Sequence, residues 1–193
     1  GSDGKMAVIA KHFPGRGSSD RLPEEEVATV RKSLEQLKLI ELAPFFSVAV
    51  SGTGNTSTIA DGFLVSHIRY QGFQGNIRET TKPVSFDSSA LSSIMGLEQF
   101  NTWRSAGGIL VSDSLGGSAI RKFFDPNNER FDAKQIALNA FLAGNDLLYL
   151  DDFQSTDDES EMTTIRNTID FFTQKYREDD AFAERVDESV LRI

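Results

Sequence analysis

The sequence predicts an α/β fold built on a parallel sheet, because short apolar runs alternate with helical patterns along the chain. Four runs of three or four apolar residues each stop at a polar pair, and they are 8–10, 63–65, 109–111 and 147–150. Short continuous apolar runs are typical of strands that are buried on both faces. Long helical patterns lie between them, which gives the order strand then helix four times over.

Polar pairs follow all four predicted strands. They are Lys11-His12, Ser66-His67, Ser112-Asp113 and Asp151-Asp152. In parallel α/β folds, ligands gather at the carboxyl edge of the sheet, where the strands end. A lysine, two histidines and an aspartate at one edge therefore form a candidate polar site.

The segments between the strands contain helix start and stop signals. Pro23 fits the first position of a helix, and Pro44 is expected to end it. An apolar stripe at steps of three and four supports that helix, and it consists of Val27, Val30, Leu34 and Leu37. A polar loop over 51–58 leads to the second strand.

The later helices have clearer signals. Ser85 or Asp87 can cap the second helical region, which a glycine pair at 107–108 closes. The third region breaks at 125–128 and ends at Gly144, and two further helices complete the chain. Four strand–helix units amount to half of an eight-fold (β/α) barrel, and an open four-stranded sheet is the competing architecture.

The composition and net charge exclude several classes of function. The net charge of −9 without clustered Lys or Arg argues against nucleic-acid binding, and no apolar stretch approaches the length of a membrane span. The absence of cysteine excludes thiolate chemistry and disulfides. Neither the glycine-rich loop at 15–17 nor the acidic stretch from Asp125 matches a phosphate or calcium loop, so we expect no cofactor and no metal.

The first strand end carries the most specific motif. The segment 11–15, Lys-His-Phe-Pro-Gly, resembles the signature of glycoside hydrolase family 3, the β-glucosidases and β-N-acetylhexosaminidases. Five further stretches resemble family motifs in the same order, and they are 66–70, 83–85, 108–113, 143–146 and 186–193.

This resemblance implies a TIM-type (β/α)8 barrel of which this chain supplies the fifth to eighth strands. We therefore expect residues 1–193 to form a single partial catalytic domain, truncated on its N-terminal side and at its C-terminus. Its expected partners are a carbohydrate substrate and, to close the barrel, either the missing half or a second chain.

The resemblance also implies a retaining mechanism, in which a carboxylate attacks the anomeric carbon and a second group moves the proton. Asp113 is the expected nucleophile, although an aspartate at a strand–helix turn can also be a helix cap. Lys11 and His12 are expected to bind sugar hydroxyls. For His67, a sugar contact competes with the role of a buried, fully hydrogen-bonded histidine.

The sequence departs from the family pattern at the residue expected to act as the general acid/base. The hexosaminidase branch has an Asp-x-His pair in the loop after the signature, whereas this loop reads Asp20-Arg21-Leu22. Asp20 is the first candidate and Glu24 the second, and a helix-capping role for Asp20 competes with catalysis. Otherwise another domain or chain supplies the acid.

The expected function is exo-acting hydrolysis of terminal β-linked sugars, with β-N-acetylhexosaminides placed first. The alternatives are a β-glucosidase-type hydrolase and a non-catalytic carbohydrate-binding barrel that has lost its acid/base.

Overall fold

The computed structural model describes residues 6–50 and 59–193, so the predicted polar loop over 51–58 lies outside the described residues. The described chain is an α/β fold with short parallel strands. They are β1 (Ile9–Phe13), β2 (Thr29–Val30), β3 (Gly62–Val65), β4 (Arg69–Tyr70) and β5 (Ile109–Ser112).

The helices are α1 (Leu34–Leu39), α2 (Ala43–Ala49), α3 (Gln71–Gln74), α4 (Ser88–Met95), α5 (Glu98–Ser105), α6 (Ser118–Phe124), α7 (Ala133–Ala143), α8 (Glu161–Glu178) and α9 (Asp180–Arg192). A 3₁₀ turn spans Val84–Phe86. In the part of the chain that the structure describes, none of these helices is long and apolar enough to cross a membrane.

The main sheet has the order β1-β3-β5 with every pair parallel, which confirms three of the four predicted strands. The fourth predicted strand is reduced to one parallel bridge between Val111 and Leu147. Its backbone still follows β5, since Ser112 N–H donates to the Leu147 carbonyl at 2.9 Å. On the other side of 147–150 the described residues provide no strand partner. Residues 147–150 therefore do not form a regular strand.

The prediction of a helix from Pro23 to Pro44 is wrong. Residues 29–30 form β2, which pairs with β4 in a second, two-stranded sheet. The β-branched residues at 27–30 are buried in the core, where tertiary packing overrides the helical spacing. The helix begins only at Leu34, after Ser33 and Gln36 form a reciprocal capping box. Pro44 then lies in the first turn of α2 instead of ending a helix.

The later helix signals are confirmed. Asp87 caps α4, because its carboxylate accepts the Ala90 N–H at 3.1 Å. The break at 125–128 separates α6 from α7, and α7 ends at Gly144, which has a φ of +127°. A left-handed conformation of this kind is one that glycine adopts without a Cβ penalty.

Helices cover one face of the main sheet. Alternate residues of the strands point to that face and form an aromatic cluster, in which Phe63 stacks on Phe13 at 4.9 Å and on Trp103 at 4.1 Å. The opposite face carries apolar side chains that are only partly buried, among them Leu64 and Val111, followed by Leu147 at 37% and Tyr149 at 47% exposure. Parallel sheets are normally covered on both faces, so this second face is the unusual feature of the fold.

Candidate active site

Asp113 lies directly after β5, at the carboxyl edge of the main sheet. Its backbone N–H donates to the Val65 carbonyl at 3.1 Å and so extends the pairing with β3 by one residue. Its carboxylate accepts the N–H of Ser114 at 2.9 Å, and the residue is only partly buried. The sheet therefore presents a backbone-supported carboxylate at the edge where ligands gather.

Lys11 and His12 are delivered to the same edge by β1. The Lys11–His12 and Phe13–Pro14 peptide bonds are both cis. Burial lowers the pKa of His12, and the charge of Arg16 lowers it further, whereas the charge of Asp113 acts in the opposite direction. The parallel strands β1 and β5 thus deliver His12 and Asp113 to the same edge of the sheet, and Lys11 is exposed there.

The turn after His12 is held rigidly by its neighbours. Gly15, with a φ of +113°, leaves no room for a side chain, because a Cβ there would lie 2.8 Å from the Glu41 Cβ. Tyr70 donates its hydroxyl to the Gly15 carbonyl at 2.7 Å. Glu41 is 6% exposed and accepts from Ser18 at 2.7 Å and from Lys32 at 2.5 Å. These contacts fix the loop that follows the candidate site.

An open cleft of about 550 Å³ lies beside β1. Lys11, His12 and Arg16 contribute cationic or polar groups to its wall, and Glu41 contributes its buried carboxylate. One Glu41 oxygen, Oε2, has no hydrogen-bond partner among the described residues, and the other is shared by Ser18 and Lys32. The cleft is polar on the side that adjoins Lys11 and His12.

His67 lies behind Asp113 and is 7% exposed. Its Nδ1 is 2.7 Å from the Ser85 Oγ, and its Nε2 is 2.9 Å from the Ser114 carbonyl oxygen. Burial lowers the pKa of His67, although the charge of Asp113 opposes this effect. Both ring nitrogens have protein partners, and a direct sugar contact by His67 stays a prediction.

The two acid/base candidates have different surroundings. Asp20 accepts the backbone N–H of Thr29 at 2.8 Å and contacts Arg21 at 3.3 Å, so it fastens the loop to β2 and caps no helix. Glu24 forms an ion pair with Arg16 at 2.7 Å, and its charge weakly opposes the lowering of the His12 pKa. The identity of the acid/base stays a prediction.

Tyr149 lies beside the candidate site, a position that its sequence did not predict. Its backbone N–H donates to the Ser112 Oγ at 2.9 Å, and its carbonyl accepts from Leu115 at 3.0 Å, so it flanks Asp113. The charges of Asp151 and Asp113 raise the pKa of its phenol. The available signal was an aromatic residue inside an otherwise aliphatic run.

Arg121 ties together the loops after β5 and after 147–150. Its guanidinium donates to the carbonyl oxygens of Gly116 at 2.8 Å, Gln154 at 3.1 Å and Asp152, and it lies 4.1 Å from the centre of the Phe131 ring. Among residues 6–50 and 59–193, no three histidine and carboxylate side chains are grouped as a metal site would require.

A carboxylate, a lysine and a histidine lie at the carboxyl edge of a parallel sheet. This arrangement is typical of α/β domains that bind ligands at their strand ends. Comparison with protein families makes the assignment specific. Residues 2–193 match the glycosyl hydrolase family 3 N-terminal domain, and the chain belongs to that family.

Several solved structures share its fold. A family 3 β-N-acetylglucosaminidase from Paenibacillus is 22% identical with a TM-score of 0.69, and the match covers 97% of this chain and 30% of that one. A β-N-acetylhexosaminidase from Beutenbergia cavernae is 16% identical with a TM-score of 0.64, covering 95% and 45%. A β-glucoside phosphorylase is 15% identical with a TM-score of 0.68, covering 97% and 29%.

This chain spans less than half of the length of each of these three structures. A comparison with curated protein sequences found no match.

Proposed function

We propose that this chain carries the nucleophile of an exo-acting retaining β-glycosidase, with terminal β-N-acetylglucosaminides as the first candidate substrates. The observation that carries the proposal is the position of Asp113 at the carboxyl edge of the sheet, where its charge acts on His12. Membership of family 3 and the two N-acetylhexosaminidase structures with the same fold support it.

In this mechanism an Asp113 oxygen forms a bond with the anomeric carbon while the bond from that carbon to the leaving oxygen breaks. The acid/base gives its proton to the leaving oxygen. It then takes a proton from a water molecule, whose oxygen bonds to the same carbon and releases Asp113. Lys11 and His12 bind the sugar hydroxyls, and the lowered pKa of His12 favours a neutral imidazole that can donate one hydrogen bond and accept another.

The acid/base is proposed to be Asp20 or Glu24. The Oδ1 atom of Asp20 is held by the Thr29 N–H, whereas the charge of Glu24 contributes to the pKa of His12. The hydrogen bond between Asp20 and the Thr29 N–H also favours two alternative functions. These are a β-glucosidase-type hydrolase whose acid comes from elsewhere, and a non-catalytic carbohydrate-binding barrel.

We further propose that the four units are the C-terminal half of a (β/α)8 barrel, closed by the preceding half or by a second chain. The partly exposed apolar face with Leu147 and Tyr149 supports this, because barrel closure would cover it. Light scattering on the purified chain tests the idea. A folded monomer that neither self-associates nor binds a separately expressed N-terminal half would contradict it.

Trapping of the covalent intermediate tests the activity. The chain is incubated with 5-fluoro-N-acetylglucosaminyl fluoride or with 2-deoxy-2-fluoroglucosyl fluoride, and peptides are then mapped by mass. In each reaction an Asp113 oxygen bonds to the anomeric carbon and fluoride leaves.

An adduct on Asp113 with the N-acetyl probe alone supports the hexosaminidase assignment, and one with the glucosyl probe alone supports the β-glucosidase alternative. Asp113→Asn should take no label. If neither probe labels the folded chain, alone or with the N-terminal half, the catalytic proposal fails.

A further inference from the structure

The hydrogen bonds of His67 define its tautomer. The Ser114 carbonyl oxygen can only accept, so the Nε2 atom, 2.9 Å away, must carry the proton. A neutral imidazole then has an unprotonated Nδ1, which accepts the Ser85 hydroxyl at 2.7 Å. Burial lowers the pKa of this histidine and so favours its neutral form. The Ser114 carbonyl thus determines which nitrogen of His67 is protonated, and the Ser85 hydroxyl donates to the other one.

Ser114 connects this histidine to the candidate nucleophile. Its carbonyl accepts from His67, while its N–H donates to the Asp113 carboxylate at 2.9 Å. The two bonds engage the successive peptide groups on either side of the Ser114 Cα, so a displacement of Ser114 would disturb both of them. A change in the bond from His67 can therefore reach the Asp113 carboxylate through Ser114.

On the side away from Asp113, the hydrogen bonds of His67 continue through Ser85 into the core. Ser85 is fully buried, and its carbonyl accepts the Asn145 side-chain amide at 2.9 Å. The same amide donates to the Ala140 carbonyl at 2.6 Å, in the last turns of α7. His67 is held from both sides and presents no free ring nitrogen to a ligand.

We propose that His67, held as the Nε2–H tautomer between the Ser114 carbonyl and the Ser85 hydroxyl, is a positioning residue that orients Asp113 through Ser114 and does not contact the sugar. This inference rests on the proposed role of Asp113 as nucleophile. It replaces the expectation that His67 binds the substrate.

The tautomer is tested without any activity. The chain has only two histidines, so ¹⁵N NMR of the imidazole nitrogens gives two spin systems that His12→Gln assigns. We expect one histidine with a protonated Nε2 and an unprotonated Nδ1, and Ser85→Ala should alter its shifts while Ser89→Ala, on the exposed surface of α4, does not. An Nδ1–H tautomer, or a cationic imidazole at neutral pH, would overturn the proposal.

The link to Asp113 is tested with two amide substitutions. In His67→Gln the amide nitrogen can reach the position of Nε2 and keep the bond to Ser114, whereas in His67→Asn it reaches only the position of Nδ1. We expect the maximal rate of Asp113 labelling to fall by less than about threefold in His67→Gln but by about tenfold in His67→Asn. The probe concentration for half-maximal rate should stay the same in both.

If His67 contacted the sugar directly, the probe concentration for half-maximal rate would rise in both variants. That result would overturn the proposal. If the wild-type chain takes no label under any condition, the proposed function fails and a second readout decides on His67. The ¹³C shift of the Asp113 carboxyl should then change in His67→Asn but not in His67→Gln, and equal shifts in both variants would overturn the link.

Discussion

Arg104 holds the buried carboxylate of Asp146 with both terminal nitrogens of its guanidinium, and its Nη2 lies 2.9 Å from Oδ1. The Asp146 side chain is completely inaccessible to solvent. Its other partners include the Leu110 N–H at 2.9 Å and the Ser189 hydroxyl at 2.9 Å, with Arg185 at 3.4 Å. One carboxylate therefore joins α5, the start of β5 and the last helix.

Asp146→Asn should destabilise the fold strongly. The substitution preserves the size of the side chain but removes the charge that compensates the surrounding guanidinium groups. Breaking a buried ion pair in this way costs about 3–5 kcal/mol in the free energy of unfolding, measured by urea denaturation. Asp170→Asn, at an exposed position of α8, should change it by less than about 0.5 kcal/mol. Equal effects of the two substitutions would show that the cluster contributes nothing.

Asp146 also shows which features of the fold can be predicted from local sequence patterns and which cannot. Its motif, 143–146, contributed to the family resemblance, but its ion-pair partners lie 42 and 39 residues away along the chain. No local pattern connects them. Three strands were predictable because an apolar run is a local signal, and so were Asp87 and Gly144 as helix ends. The helix from Pro23 failed because β2 is stabilised by its pairing with β4, which is a long-range contact.

The candidate site was predictable to a similar degree. Lys11, His12 and Asp113 were placed at one edge because parallel strands end on the same side, and β1 and β5 do run parallel in one sheet. The roles of these three residues stay predictions. The surroundings of His67 were not predictable, since its partners Ser85 and Ser114 are 18 and 47 residues away. The sequence alone therefore left its two roles open.

Gly116→Ala should disturb the turn that follows Asp113. A Cβ at this position would lie 2.1 Å from the backbone oxygen of Asp152, so the two loops would have to separate. Overpacking against backbone costs about 1–3 kcal/mol, and the free energy of unfolding should fall by that amount. Gly17→Ala is the matched control, because nothing lies within 4 Å of its Cβ. A Gly116→Ala variant as stable as Gly17→Ala would contradict this close approach of the loops.

Tyr70 should make the fold sensitive to alkali. It is fully buried and donates its hydroxyl to the Gly15 carbonyl at 2.7 Å. Burial, with a further contribution from the charge of Glu41, raises the pKa of its phenol well above the ordinary value. The protonated form is thus favoured in the folded state. Its contribution to stability is complete below the unfolded pKa of about 10 and is lost as the pH rises toward the folded pKa.

Tyr70→Phe separates this contribution from other alkaline effects. At neutral pH the variant should lose about 1 kcal/mol, because the Gly15 carbonyl loses its buried donor. Above pH ~10 the wild-type protein should lose up to about 1.4 kcal/mol per pH unit more than the variant, since only the wild type must keep this phenol protonated in order to fold. Urea unfolding of both proteins between pH ~8 and ~11 measures the difference, and Tyr176→Phe, at an exposed position, is the control. Parallel stability curves for wild type and Tyr70→Phe would mean that the phenol ionises without cost in the folded state, and that result would contradict the prediction.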